Sequence, residues 1–200
     1  GQETALIGDG VMATRELFAL LEWRHQHQGE LIGIPTGFKG IDALTLGWRE
    51  GNLIIIAAAT SIGKTTLAVN SAVAAAKAGH RALIFSLEMS RLELESRILS
   101  ELSGIPLMRL EMGTFSEFEM REKIAPALEL RFSLPLDIID TAGLSAPQIR
   151  NICRQEHAKR RIRLGVADYV QLMPVPQEQS ELRTDQQLGF SANMLKTTAK

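Results

Sequence analysis

The octapeptide at residues 58–65, Ala-Ala-Thr-Ser-Ile-Gly-Lys-Thr, constrains the fold of this chain more than any other segment. A short apolar block at residues 53–56 precedes it and predicts a buried strand. An Ala-rich run at residues 66–77 follows and is closed by Gly79, which predicts a helix with a glycine stop. A strand, a tight loop ending in Gly-Lys-Thr and a helix together predict a phosphate cradle, because the loop N–H groups and the helix N-terminus present partial positive charge to an anion.

The residues of this loop have distinct expected roles. Lys64 can reach the outer phosphates of a nucleotide, and the Thr65 hydroxyl can bind a magnesium ion. Position 58 is Ala where the full pattern has Gly, and Ala there costs about 1 kcal/mol or more if the backbone needs a positive φ. The alternative is an ordinary strand-to-helix turn without a ligand. We predict nucleotide contacts from Ser61, Ile62, Gly63, Lys64, Thr65 and Thr66.

Composition limits the class of protein. Two hundred residues with 45% apolar content suffice for one core, with a short appendage. The formal net charge of −1 gives no overall attraction to nucleic acid, so any such binding must be local or must come from assembly of several copies. A single cysteine, Cys153, excludes an internal disulfide. No apolar run approaches the length of a membrane span, and we expect a cytoplasmic protein.

Strand and helix signals alternate along most of the chain. Apolar runs at residues 82–85, 136–139 and 164–167 predict strands whose two faces are both covered, which is typical of a parallel sheet in an α/β fold. Between these runs, Ser is followed three residues later by Glu or Gln at three places, which predicts helices at residues 91–103, 117–131 and 146–160. A separate helix at residues 11–24 and a polar stretch after it predict an N-terminal region, 1–30, ahead of a domain at 31–200.

Two acidic residues follow predicted strands. Glu88 lies just beyond the strand at 82–85, and Asp168 ends the run at 164–167. Because parallel strands place their C-terminal ends along one edge, both carboxylates are expected beside the phosphate loop. Asp168 suits the magnesium shell, and Glu88 suits the activation of an attacking water. The alternative for Glu88 is that it caps the helix that begins near Ser90.

Four separated segments, in this order, carry a family resemblance. They are Pro35-Thr36-Gly37-Phe38, the loop at 61–66, Phe85-Ser86-Leu87-Glu88-Met89-Ser90 and Asp168-Tyr169-Val170-Gln171-Leu172-Met173. From about Leu31 to the last residue, the chain resembles the ATPase domain of bacterial and phage DnaB-type replicative helicases, a RecA-like P-loop NTPase fold. The region at 1–30 is similar in position to the family's linker helix, which packs on a neighbouring subunit.

The resemblance implies a function and a set of partners. It implies a hexameric ring that hydrolyses ATP or another NTP with Mg²⁺, moves along single-stranded DNA and unwinds the duplex, with primase and a helicase loader as candidate partners. The implied roles are phosphate binding by Lys64, magnesium coordination by Thr65, water activation by Glu88 and an acid at Asp168. The family also has Ala at the position of Ala58.

The polar loop after the Asp168 strand lies where this family lines its DNA channel. Its candidate DNA contacts are Gln177, Gln179, Ser180 and Arg183. The charge of the loop is poor for this task, since Glu178 and Glu181 offset Arg183, so binding has to sum over several copies.

Two features depart from the family pattern and keep alternatives open. Ala167 is smaller than the usual aliphatic residue before the acid. The chain stops at Lys200, before the family's later strands, its polar sensor and its arginine finger, so we expect an incomplete fold that binds nucleotide and hydrolyses it slowly. The alternatives are another RecA-like ATPase, of the recombination or clock type, and a nucleotide-gated assembly module that does not unwind DNA.

Overall fold

The computed structural model describes residues 8–59, 62–175 and 183–199, which fall into two compact units, residues 1–31 and 32–200. The first unit is built on helix α1, Gly8–Gln26, whose last turn carries Arg24 and His25 where the helix dipole favours positive charge. Just past its end, the His27 ring stacks on Trp23 with ring centroids 4.4 Å apart. The predicted N-terminal helix at 11–24 is therefore present and is slightly longer.

The second unit alternates helices and strands. Residues 117–133 form one helical run that passes through a π-helical turn at Met120–Ile124. A 3-10 turn at Val170–Leu172 follows the last strand. The elements in chain order are α2 Lys39–Thr45, α3 Lys64–Lys77, β1 Ala82–Ser86, α4 Arg91–Ser103, α5 Leu107–Glu111, α6 Glu117–Glu119, α7 Ala125–Ser133, β2 Leu136–Ile139, α8 Ala146–Arg160, β3 Leu164–Asp168 and α9 Thr184–Thr198.

The described strands form a parallel sheet in the order β2-β1-β3. Ala82 of β1 is aligned with Leu136 on one side and with Leu164 on the other. All five residues of β1 are buried because both faces of the sheet are covered. Helices α3 and α4 cover the face of Ile84, and α8 covers the face of Phe85, where residues of α9 pack as well. The predicted parallel α/β fold is confirmed.

Local sequence signals placed most of these elements correctly. The three Ser-based capping boxes occur at Ser90, Ser116 and Ser145, each at the start of a predicted helix. The three predicted strands in the sheet match β1, β2 and β3 within one residue. Helices α2 and α5 were not predicted because they are short and their N-cap residues, Phe38 and Pro106, make no side-chain capping hydrogen bond.

The predicted strand at residues 53–56 is wrong. No strand is assigned there, and the side chains of Ile54, Ile55 and Ile56 are 38%, 71% and 38% exposed. An apolar β-branched run favours extended backbone, but a strand also needs a neighbour that completes its hydrogen-bond ladder. In the part of the chain that the structure describes, this run lies outside the β2-β1-β3 ladder.

Candidate nucleotide-binding site

The start of α3 presents free backbone donors. Its N-cap is Gly63, with φ 99° and ψ 25°, in the left-handed region that favours glycine. The first intrahelical hydrogen bond runs from the Leu67 N–H to the Gly63 carbonyl at 2.9 Å. The N–H groups of Lys64, Thr65 and Thr66 precede that bond and point out of the helix end, where the helix dipole favours an anion.

The Lys64 ammonium lies within the loop. Its Nζ donates to the carbonyl oxygens of Ala58 at 2.8 Å and Ala59 at 2.9 Å. Lys64 and Thr65 are half-buried, whereas Ile62 and Thr66 are exposed. Of the six predicted nucleotide contacts, Ser61 lies outside the described residues, and the other five surround the start of α3.

The direction of α3 brings this loop to the C-terminal edge of the sheet. Four residues, 78–81, join the end of α3 to the start of β1, and the His80 N–H bonds back to the Ala75 carbonyl at 2.9 Å. Helix α3 packs along β1 and β3, so it runs back against the strand direction. Its 14 residues span about 21 Å and the five of β1 about 17 Å, so Lys64 lies toward the edge at which the strands end.

Of the two predicted carboxylates, Asp168 ends β3 and Glu88 lies two residues beyond the end of the neighbouring strand β1. Asp168 is aligned with Ser86 across the β1–β3 ladder, and its carbonyl oxygen accepts from the Leu87 N–H at 2.9 Å. Glu88 follows one residue later and is exposed. Within the described residues, neither carboxylate makes a hydrogen bond or ion pair, so both are available to a cation or to water.

Glu88 does not cap α4, so that alternative is wrong. The N-cap is Ser90, whose side chain accepts from the Glu93 N–H while the Glu93 carboxylate accepts from the Ser90 N–H at 2.8 Å and its hydroxyl at 2.7 Å. The hydrogen bond from the Ser90 hydroxyl is the main cause that lowers the pKa of Glu93. Because Ser90 and Glu93 cap the start of α4, the Glu88 carboxylate is not needed as a cap.

The segment at 35–38 packs against the middle of α3. Thr36 is fully buried, its N–H donates to Asp42 Oδ1 at 2.9 Å, and its carbonyl accepts from the Ser71 hydroxyl of α3 at 2.8 Å. Gly37 has φ 84°, and a Cβ there would lie 3.0 Å from the Ala74 Cβ. These contacts join residues far apart in sequence, and no spacing pattern could have predicted them.

The candidate DNA contacts are only partly within the described residues. Gln177, Gln179 and Ser180 lie outside them, as do Glu178 and Glu181. Arg183 precedes α9 with its side chain 79% exposed, and it forms an ion pair with Asp185 at 2.7 Å. The hydrogen bond between them raises the pKa of Arg183 and lowers that of Asp185. In the described chain the ion-pair partner of Arg183 is thus Asp185, whereas the sequence pointed to Glu178 and Glu181.

Other groups belong to different parts of the fold. A cavity of about 210 Å³ includes none of the predicted site residues. It is lined by Arg81, Leu83, Asp137, Ile139, Ile152, Glu156, Arg160 and Ile162. Burial raises the pKa of the Cys153 thiol to about 11. Among the described residues there is no cluster of His, Cys, Asp and Glu able to hold a metal, and no helix long and apolar enough to cross a membrane.

The parallel sheet, the glycine-capped α3 and the two carboxylates at the strand ends define an α/β domain of the RecA-like P-loop class. Residues 33–200 match the sequence model of the family described as DnaB-like helicase C terminal domain, and the chain belongs to that family. The replicative DNA helicase DnaB of Rhodothermus marinus is 34% identical over 189 residues, which are 93% of this chain and 20% of the relative. The chain therefore spans about a fifth of that relative's length.

Solved structures agree on the fold. The ATPase domain of G40P superposes with a TM-score of 0.84 at 24% identity, covering 98% of this chain and 68% of that one. A DnaB-like replicative helicase, solved in a study of its interactions with primase, gives a TM-score of 0.82 at 24% identity, covering 100% of this chain and 47% of that one.

Proposed function

We propose that this chain is the nucleotide-hydrolysing motor domain of a replicative DNA helicase, in which NTP hydrolysis drives movement along single-stranded DNA and duplex unwinding. The observation that carries the proposal is that Glu88 and Asp168, whose carboxylates make no hydrogen bond or ion pair within the described residues, lie at neighbouring strand ends on the same edge as the N-terminus of α3. Family membership and relatives named replicative DNA helicase support it.

The chemistry of the edge suits a magnesium nucleotide. The N–H groups of the first turn of α3 and the Lys64 ammonium offer the donors that phosphate oxygens need. The Thr65 hydroxyl and the Asp168 carboxylate are hard oxygen ligands of the kind that Mg²⁺ prefers. A bound Mg²⁺ ion would neutralise part of the negative charge of the phosphates. Glu88, whose carboxylate is exposed and unpaired, orients the attacking water and accepts its proton.

Assembly and DNA contact belong to the same proposal. Residues 1–30 act as a linker whose helix packs on another subunit, since α1 exposes Leu17, Phe18 and Leu21. Residues 31–200 form the ATPase domain, and six copies form a ring. Single-stranded DNA then runs past the loop that carries Gln177, Gln179, Ser180 and Arg183, where weak contacts add over the copies.

The further partners follow from the replication role. Primase and a helicase loader are the proposed protein partners; a DnaB-like helicase among the structural neighbours was solved in a study of its interactions with primase. The proposed location is the cytoplasm, where a bacterial or phage replication fork operates.

The test uses the native gene product that carries these residues, with Lys64→Ala as the variant. MgATP binding, hydrolysis with and without single-stranded DNA, and unwinding of a forked duplex are measured, and sedimentation reports subunit association. We expect the variant to stay associated while nucleotide binding and unwinding are lost, because the anchoring cation is gone. Unchanged unwinding would refute the proposal. Unsubstituted protein that binds nucleotide and assembles without DNA-stimulated hydrolysis would instead identify an assembly module.

A further inference from the structure

Ser86, the last residue of β1, holds the backbone on the C-terminal side of Glu88 in place. Its side chain is 2% exposed. The hydroxyl donates to the Met89 carbonyl at 2.7 Å and accepts from the Met89 N–H at 3.1 Å. One buried hydroxyl therefore satisfies both polar backbone groups of the residue that directly follows Glu88.

The other side of Glu88 is held from the neighbouring strand. The Leu87 N–H donates to the Asp168 carbonyl at 2.9 Å, and Ser86 itself is aligned with Asp168 across the ladder. Glu88 is thus the one residue between two anchored positions. Its own side chain makes no hydrogen bond or ion pair within the described chain, so the backbone fixes only the point from which the carboxylate reaches out.

We propose that Ser86 is a positioning residue for hydrolysis: by closing the turn at 86–89 on Met89, it holds the backbone that carries the Glu88 side chain at a fixed place relative to Asp168. This inference rests on the proposed function and deepens it. Ser86 does not itself touch the nucleotide, because the residue is buried and its single O–H donor is used by the Met89 carbonyl.

Loss of the hydroxyl affects turnover and leaves binding unchanged. Ser86→Ala removes both bonds to Met89, so the turn opens and Glu88 samples several directions, while the start of α3 keeps its donors. A displacement of about 1 Å in a catalytic group lowers turnover by about 100-fold, so we expect kcat to fall at least ~10-fold. The KM and Kd for MgATP are expected to stay within about two-fold, since Glu88 is not a binding group here.

The control is Ser103→Ala. Ser103 also donates one hydrogen bond, to the Leu99 carbonyl at 2.6 Å, and accepts one, from the Ile105 N–H at 3.2 Å, but it lies at the far end of α4. Loss of these two hydrogen bonds in Ser103→Ala should leave kcat and KM within about two-fold of the values of the unsubstituted protein. Hydrogen exchange of the Met89 amide adds a direct readout: it should speed up in Ser86→Ala and stay unchanged in the control.

Both variants are made in the native gene product, and thermal melts check that they fold. If Ser86→Ala does not fold, Ser86→Cys, which keeps the volume with weaker hydrogen bonding, replaces it and must show the same loss of kcat. A kcat equal to that of the control, or a loss that lies wholly in KM, overturns the role of Ser86 and leaves the proposed function intact. Absence of MgATP turnover in the unsubstituted protein overturns both.

Discussion

Gly63 offers a sharp test of the proposed phosphate loop, because a matched control glycine follows the other end of helix α3. Gly63 lies before α3 at φ 99°, and Gly79 lies just after it at φ 82°. Among the described residues, the atom nearest to a Cβ at Gly63 would be 4.0 Å away, and a Cβ at Gly79 would have no neighbour within 4 Å. Replacement by Ala therefore introduces backbone strain at both sites without a steric clash.

The magnitude follows from that strain. A left-handed conformation costs an L-residue about 1–2 kcal/mol. In Gly63→Ala the loop is open enough to relax to a negative φ, which turns the first N–H groups of α3 away from the position of the phosphates. The competent loop must then be restored on binding, and since 1.4 kcal/mol is a factor of ten, the Kd for MgATP should rise about 5–30-fold. Gly79→Ala carries the same strain far from that edge and should leave Kd within about two-fold.

Titration with a fluorescent ATP analogue measures the two Kd values, and thermal melts measure stability. Neither variant should melt lower by more than about 8 °C, because the strain is at most about 2 kcal/mol and each kilocalorie corresponds to about 2–4 °C in a domain of this size. Equal Kd values for Gly63→Ala and Gly79→Ala would refute the assignment of this loop as the phosphate site. A large drop in melting temperature for Gly63→Ala alone would show that the loop is a folding element instead.

Two further predictions concern stability. The Arg109 guanidinium hydrogen-bonds the Glu119 carboxylate and lowers its pKa from 4.5 to about 2, so the stabilisation from this pair is present above pH ~4.5 and is lost as pH falls through 2. Urea melts should therefore show Arg109→Gln less stable than the unsubstituted chain at pH 6 and nearly equal to it at pH 2, whereas a pH-independent difference would contradict the pairing. Ile98→Ala empties a site that is 0% exposed and should lower the free energy of unfolding by about 2–5 kcal/mol, whereas Leu92→Ala on the same helix, 77% exposed, should change it by about 0.5 kcal/mol or less. Similar losses for these two α4 variants in denaturant melts would contradict the assigned core.

Several elements were determined by the sequence because their causes are local. The Ser-x-x-Glu and Ser-x-x-Gln patterns place helix starts at Ser90, Ser116 and Ser145, since the partners of each capping pair are three residues apart. Apolar runs bounded by turn residues mark β1, β2 and β3 for a similar reason. The Gly-Lys-Thr sequence likewise marks the start of α3, because only glycine adopts the φ of 99° at that N-cap without strain.

Tertiary structure decided what depends on partners distant in the chain. Residues 53–56 have the composition of a strand but lie outside the described sheet. A strand needs a neighbouring strand to hydrogen-bond, and the composition of a segment does not show whether one is present. The order β2-β1-β3 places the Asp168 carbonyl against the Leu87 N–H and so brings Glu88 beside Asp168. The hydrogen bonds from Ser86 to Met89 and from Ser71 to Thr36 depend on burial, because a buried hydroxyl has no water to bond and must bond another group of the protein. The sequence therefore names the residue types of the candidate site, whereas their common position at one edge follows from how the strands and helices pack.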